Sequence, residues 1–256
     1  MRFIRRFAED RPFWFVVVLA IFQPVMAVPF VAYVKLTGSS ITPLQLIIPT
    51  IQSIFILWFI WAMGWWRVSG LNSKVRNAHL LIYPALAHFV PALLYGSVTI
   101  SAGWILFYFL ALLTTGISEE GFARGVAVPV LLKYGKWAAV LIAAAVFSAG
   151  HLTNALLENF TALQWLDKFS ITFGFAVLYG ALFLRTGNLL PLIFLHTIED
   201  YIYLTSGTAG PFVAEALDIR IHLVIVFADL AVGLYLMLGV TKDDLPLIGK
   251  RTAETA

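Results

Sequence analysis

The chain alternates between long apolar runs and short polar clusters. A helix crosses the hydrocarbon core of a bilayer with about 20 mostly apolar residues. By that measure the pattern predicts eight spans, at about 13–34, 44–66, 80–98, 103–122, 137–152, 169–184, 189–206 and 218–240. The fifth and sixth are short. Arg2, Arg5, Arg6 and Arg11 before the first run resemble the basic start of a signal peptide. The run Phe13–Val34 is too long for one, and no small-residue cleavage site follows it. Pro24 and Pro29 lie inside that run, where neighbouring helices can satisfy the freed carbonyls. The segment 125–136 is half a span long and reads as a short helix or re-entrant piece at the cytoplasmic interface. No internal repeat or linker is visible. The expected fold class is therefore all-α, a polytopic transmembrane helix bundle forming one membrane domain over 1–256.

Charge placement supports an even span count. Starting from a cytoplasmic N-terminus, alternation puts inside all but three of the 17 Lys and Arg residues. Lys35, Lys168 and Arg220 are the exceptions. A miscounted span would invert every later loop and scramble that bias. Both termini are thus expected in the cytoplasm. Trp14, Trp61, Trp65, Trp66, Trp104 and Trp137 fall near predicted span ends, as an aromatic belt requires.

Composition then narrows the function classes. Apolar residues make up 61% and charged residues 12%, against about 25% charged in soluble domains. A soluble domain of this length could not cover so much apolar surface. A net charge of +3 makes no basic patch, so nucleic acid is not an expected partner. With no cysteine, disulfides, Cys-zinc sites and thiol nucleophiles are excluded. An integral protein of a cell membrane remains, and the compact chain suggests a prokaryotic one.

Charge inside a span costs roughly 2.5–3.5 kcal/mol per group. Three places carry that cost: Ser118–Arg124 at the end of the fourth span, Phe147–His151 closing the fifth, and His196–Asp200 in the seventh. Left unpaired in lipid they would together cost on the order of 15 kcal/mol, so they must face one another or water. Glu120 and Arg124 are four apart and share a helix face, as an ion pair requires. Glu119 points about 100° away. A carboxylate locked in an ion pair is a poor base, whereas a partly desolvated, unpaired one is a better base. Glu119 is therefore the expected chemical group and Glu120 the supporting one. His196 and Asp200 also share a face, so Asp200 can orient the imidazole. The small residues Ala143, Ala144, Ala145, Ser148, Ala149 and Gly150 let helix backbones approach closely, which would bring His151 to the fourth span. His222 and Asp229 share a face of the eighth span as further supporting candidates. Gln23 and Gln52 read as interhelical hydrogen-bonders. Ser118 and Ser148 lack a His at pairing distance and are not expected nucleophiles.

These motifs, E-E-x-x-x-R (Glu119, Glu120, Arg124), F-x-x-x-H (Phe147, His151) and H-x-x-x-D (His196, Asp200), occur in order on successive spans. The chain thereby resembles the CAAX-protease and bacteriocin-processing (CPBP, or Abi) family of intramembrane proteases, which includes type II CAAX prenyl endopeptidases. The resemblance covers about residues 100–205, and the eight-span layout fits it. It implies an endopeptidase whose site is buried in the membrane and open to the cytoplasm. Carried over, Glu119 activates the attacking water with help from His151, His196 and Asp200 stabilise the oxyanion, and Glu120 with Arg124 holds the site together. The implied partners are the lipid bilayer and a membrane-associated peptide or lipidated protein. The prenyl-endopeptidase branch typically has Asn where this chain has Asp200. An amide donates to an oxyanion and a carboxylate does not unless protonated. Asp200 is thus protonated, orients His196, or binds metal.

Amide hydrolysis needs a base, an oxyanion donor and exclusion of bulk solvent, and these residues supply all three. Glu119, His151, His196 and Asp200 are also acceptable zinc ligands. Glu119, His151 and His196 form the candidate metal set, although no HExxH helix is present. The metallo-endopeptidase label, with zinc as the candidate cofactor, therefore stands beside a metal-free glutamate mechanism. Two other classes fit parts of the pattern. A proton-coupled transporter could use the same groups as a relay, but no inverted repeat is visible. A non-catalytic scaffold on the same fold would be expected to lose motif residues, and none is lost.

Overall fold

In the computed structural model the described residues are 1–40, 42–95, 102–151, 161–205 and 219–246. Every regular element among them is helical. The helices are α1 (Arg2–Asp10), α2 (Pro12–Val25), α3 (Val28–Thr37), α4 (Leu44–Met63), α5 (Ile82–Tyr95), α6 (Ala102–Phe122), α7 (Val128–Leu131), α8 (Lys136–Gly150), α9 (Ala162–Thr186), α10 (Leu190–Thr205) and α11 (Ile219–Leu238).

Four helical runs are long and apolar enough to cross a membrane: Pro12–Thr37, Leu44–Met63, Gly103–Tyr134 and Ala162–Thr186. The first combines α2 and α3, with the break at Met26 and Ala27 between Pro24 and Pro29. Each proline lacks an N–H, and its ring crowds the carbonyl one turn back, so the helix yields there. Lys136–Gly150 and Leu223–Leu238 are shorter apolar runs.

The segment 125–136 continues directly from the preceding helix and contains a short helix, as expected. From α6 the chain passes through a π-helical turn, Ala123–Ala127, directly into α7. Val126, Ala127 and Leu131 are fully buried, so this stretch is core. Arg124 is likewise not a loop cation, because it is 1% exposed within that turn. The wider turn accommodates Pro129, whose ring would clash with the carbonyl of Gly125 in an uninterrupted α-helix.

Helices meet closely where side chains are small, as expected between membrane helices. A Cβ on Gly116 of α6 would lie 2.9 Å from Thr197 Oγ1 and 3.1 Å from the Ile193 carbonyl of α10. A Cβ on Gly180 of α9 would lie 2.9 Å from Val140 of α8. A Cβ built on Gly150, also expected to mediate such an approach, would meet no described heavy atom within 4 Å. Gln52 reaches from α4 to the Gln23 carbonyl of α2 at 3.0 Å.

One end of the bundle collects the basic residues, and their side chains close helix C-termini whose last carbonyls have no partner within the helix. Arg5 donates to Met63 O at 2.5 Å, Lys133 to Glu9 O at 2.5 Å and Lys136 to Val240 O at 2.6 Å. Arg185 donates to Gly239 O. Arg76 donates to Leu184 O at 3.2 Å and pairs with Asp244 at 3.1 Å. Lys35 and Lys168 lie toward the opposite ends of their helices. Most of the expected belt tryptophans are exposed. Trp65 instead is 3% exposed and packs edge-on against Phe15 and Phe59.

Candidate active site

Hairpin arithmetic levels the first two motifs. Glu119 lies 16 residues before Gly135 and His151 lies 16 residues after it. Two antiparallel helices turning at Gly135 therefore carry these groups to the same height, about 24 Å from the turn at 1.5 Å per residue. Glu119 Oε2 is 3.8 Å from His151 Nε2 and 3.8 Å from His196 Nε2. The sequence-predicted groups on α6, α8 and α10 thus converge. Glu119 sits midway along a 32-residue run, not at its end.

The adjacent carboxylates occupy different surroundings. Glu120 is fully buried and accepts from Arg124 Nη1 at 3.0 Å. It also accepts from His196 Nδ1 at 2.8 Å. Glu119 has a side chain 28% exposed, and its Oε2 contacts with both imidazoles are longer than hydrogen bonds. Helical geometry sets this division, because neighbours on a helix point about 100° apart.

Arg124 is held by more than its ion pair. Its guanidinium lies over the rings of Phe147, Phe175 and Tyr179 at 4.9, 5.4 and 5.5 Å. All three are within the range of cation–π attraction. Phe175 and Tyr179 are four apart on α9 and therefore share a face. Sequence reasoning missed both. Their signal was an aromatic pair at helical spacing, which an ordinary apolar core also produces. Phe147 serves two groups, since it also meets the His151 ring edge-on at 4.7 Å.

The two histidines are oriented by different partners. His151 Nδ1 lies 3.0 Å from the Phe147 carbonyl. A carbonyl only accepts, so Nδ1 carries the hydrogen and Nε2 is turned toward Glu119. His196 donates from Nδ1 to Glu120, and its Nε2 lies 3.4 Å from Asp200 Oδ2. That approach needs a proton on one of the two atoms. Asp200 has a side chain 38% exposed and, with Glu119, forms the open side of the cluster.

Other candidates fall elsewhere. Ser118 donates to Thr115 O at 2.9 Å and Ser148 to Ala144 O at 2.9 Å, so both hydroxyls are turned onto their own helices. Asp229 is buried and accepts from Tyr83 Oη at 3.1 Å, joining α11 to α5. Glu199 accepts from Tyr179 Oη at 3.4 Å, behind the aromatic face that covers Arg124. The His222 side chain lies outside the described residues.

The zinc alternative finds no support in the placement of the donors. Among the described residues no group of three or more His, Asp or Glu side chains is disposed to hold a metal ion. Glu120 already takes one nitrogen of His196, and the other faces Asp200. The chemistry of Glu119, His151 and His196 is therefore described through their own proton-bearing atoms.

The arrangement offers a carboxylate base, an imidazole beside it, and a second imidazole held by two acids. The side facing the basic end is filled by buried apolar side chains, among them Val126, Leu131 and Leu192. No curated protein and no solved structure matches the chain. Residues 101–202 match the family model described as Type II CAAX prenyl endopeptidase Rce1-like, and that segment carries all three motifs.

Proposed function

We propose that the chain is an intramembrane endopeptidase that hydrolyses a peptide bond of a membrane-associated, CAAX-type substrate. It forms one membrane domain of eight spans with both termini in the cytoplasm. Glu119 takes a proton from the attacking water, with His151 Nε2 assisting. As the carbonyl carbon becomes tetrahedral, negative charge develops on its oxygen and is met by a protonated His196, whose Nδ1–H stays on Glu120 and whose Nε2–H is shared between Asp200 and that oxygen; the C–N bond then breaks, and the amine leaves with the proton that Glu119 took from the water. Asp200 keeps His196 turned to that task. Glu120 and Arg124 hold His196 from the other side. Fixed donors of this kind need no reorganisation during the reaction, which makes them effective in a water-poor site.

The observation that carries the reading is the convergence of Glu119 with both histidines inside the family-matched segment. The test is Glu119→Gln, which keeps the shape and removes the base. A prenylated CAAX peptide cleaved by the parent protein should be cleaved at least 100-fold more slowly, the lower range for loss of a general base. A variant that elutes as the parent does and keeps the parent rate would defeat the proposal.

A further inference from the structure

Helix α1 takes no part in the site, yet it concentrates cationic charge. Arg2, Arg5 and Arg6 lie on it, and Arg11 directly follows. Its inner face is occupied by the protein. Ile4, Phe7 and Ala8 recur at the spacing of one helix face and pack against the core, with Phe7 meeting Phe15 edge-on at 6.0 Å. Arg5 closes the end of α4, and Lys133 holds the Glu9 carbonyl. These contacts fix α1 on the basic end of the bundle.

The first membrane-length run begins at Pro12. A residue before proline is driven out of the α region, and Arg11, at φ −133° and ψ 57°, breaks the helix there. The break lets α1 fold over the ends of α2 and α4 instead of prolonging α2. It therefore lies at the level where the first run reaches the membrane surface.

The outer face is different in kind. Arg2, Phe3, Arg5, Arg6 and Glu9 line one recess on it. Glu9 and Asp10 are the acids of this stretch, against four arginines. Among the described residues Arg2, Arg6 and Arg11 form no ion pair. Phe3 lies four residues before Phe7 and shares its side of the helix, but it is 80% exposed. A large bare ring beside guanidiniums suits the boundary between acyl chains and headgroups. The ring enters the acyl layer there and the cations stay at the phosphates.

We propose that α1 is an interfacial helix that binds anionic phospholipid headgroups of the leaflet at the basic end. Arg2 and Arg6 meet the phosphate oxygens, which the planar fork of guanidinium N–H donors fits. Phe3 anchors in the acyl chains. Arg5 keeps its contact with Met63 O and ties the helix to α4. Charge complementarity selects the lipid. A zwitterionic headgroup sets its own cation beside the phosphate, whereas an anionic one leaves net negative charge for the arginines. The proposal does not rest on the endopeptidase reading.

The test titrates dioleoylphosphatidylglycerol, dioleoylphosphatidylcholine or soluble glycerol phosphate into the full chain in neutral detergent micelles. The unfolding temperature is followed, since a ligand of the folded state raises it. One cationic side chain at an anionic surface is worth about a fivefold change in affinity. Arg2→Gln combined with Arg6→Gln should therefore weaken the apparent affinity for phosphatidylglycerol at least fivefold. Both side chains are exposed, so without lipid that variant should unfold as the parent does. Arg6→Gln alone, with at least a threefold loss, serves should the double variant fail to accumulate. Phe3→Ser should weaken phosphatidylglycerol binding at least threefold with the charge unchanged. Lys74→Gln combined with Lys242→Gln removes the same charge away from α1 and should leave the affinity within threefold of the parent. Smaller losses in the α1 variants, or an equal loss in the Lys74 and Lys242 variant, overturn the proposal. Equal stabilisation by phosphatidylcholine removes the selectivity for anionic headgroups and overturns it too. Equal stabilisation by glycerol phosphate makes a soluble phosphate the ligand and overturns the lipid assignment.

Discussion

Replacing Arg124 by Met tests how a full ion pair survives at this depth. The substitution removes the guanidinium from Glu120, which is 0% exposed, and leaves only His196 beside that carboxylate among its described partners. Breaking a buried pair from one side costs about 3–5 kcal/mol, because the remaining charge is uncompensated. The reverse change, Glu120→Gln, should cost less. Arg124 keeps three aromatic faces within 5.5 Å, and desolvated cation–π contacts are worth about 2 kcal/mol. The amide carbonyl introduced by Glu120→Gln can also still accept from His196 Nδ1. In the double variant neither charge remains, and replacing both members of a buried pair is often close to neutral. The double variant should therefore be more stable than Arg124→Met alone, with a coupling energy of at least about 2 kcal/mol. Unfolding in detergent micelles against increasing sodium dodecyl sulfate, followed by tryptophan fluorescence, measures all four corners of the cycle. If the double variant falls within about 0.5 kcal/mol of the sum of the singles, the two groups are independent. The account of Glu120 and Arg124 as one unit then fails.

Gly116→Ala would push a methyl against Thr197 and the Ile193 carbonyl, both within 3.1 Å of the new Cβ. It should destabilise by about 1–3 kcal/mol, as overpacking does, and the same unfolding assay reads it. Asp200→Asn keeps a polar group that can orient His196 and adds an N–H donor, so peptide cleavage should stay within about tenfold of the parent. Asp200→Leu should lose about 100-fold or more, the scale of one oxyanion-site group. Arg76→Ala removes the Asp244 pair and the contact with Leu184 O. It should cost about 1 kcal/mol, because the guanidinium is largely solvated, and should speed proteolysis after Lys242 in detergent solution.

The helical segments were legible because membrane burial demands long apolar runs whatever the tertiary structure. The convergence of Glu119, His151 and His196 was legible because charge at that depth must be matched. The end of the fourth span was misread. Its predicted end at 122 left Arg124 at the margin of the span and Pro129 in the short segment beyond it. Each is absorbed by a feature invisible to periodicity: Arg124 by three rings on α8 and α9, Pro129 by a π-helical turn. Those rings come from segments more than 20 residues away, so no local pattern identifies them. The approach of α6 to α10 also escaped notice, because Gly116 is ordinary in sequence and decisive only opposite Thr197.

Two adjacent glutamates could not serve equivalent roles here. A turn of about 100° between neighbours sends Glu120 toward α9 and α10 and leaves Glu119 at the opening. Burial without water requires that Glu120 be paired, and the cation that pairs with it must itself be shielded. Three rings do that while packing the space between the site and the basic end. The same packing keeps water from the ion pair. A variant that opened a path through Phe175 and Tyr179 to the basic end would hydrate Glu120 and Arg124, and would weaken their hold on His196 before any substrate entered.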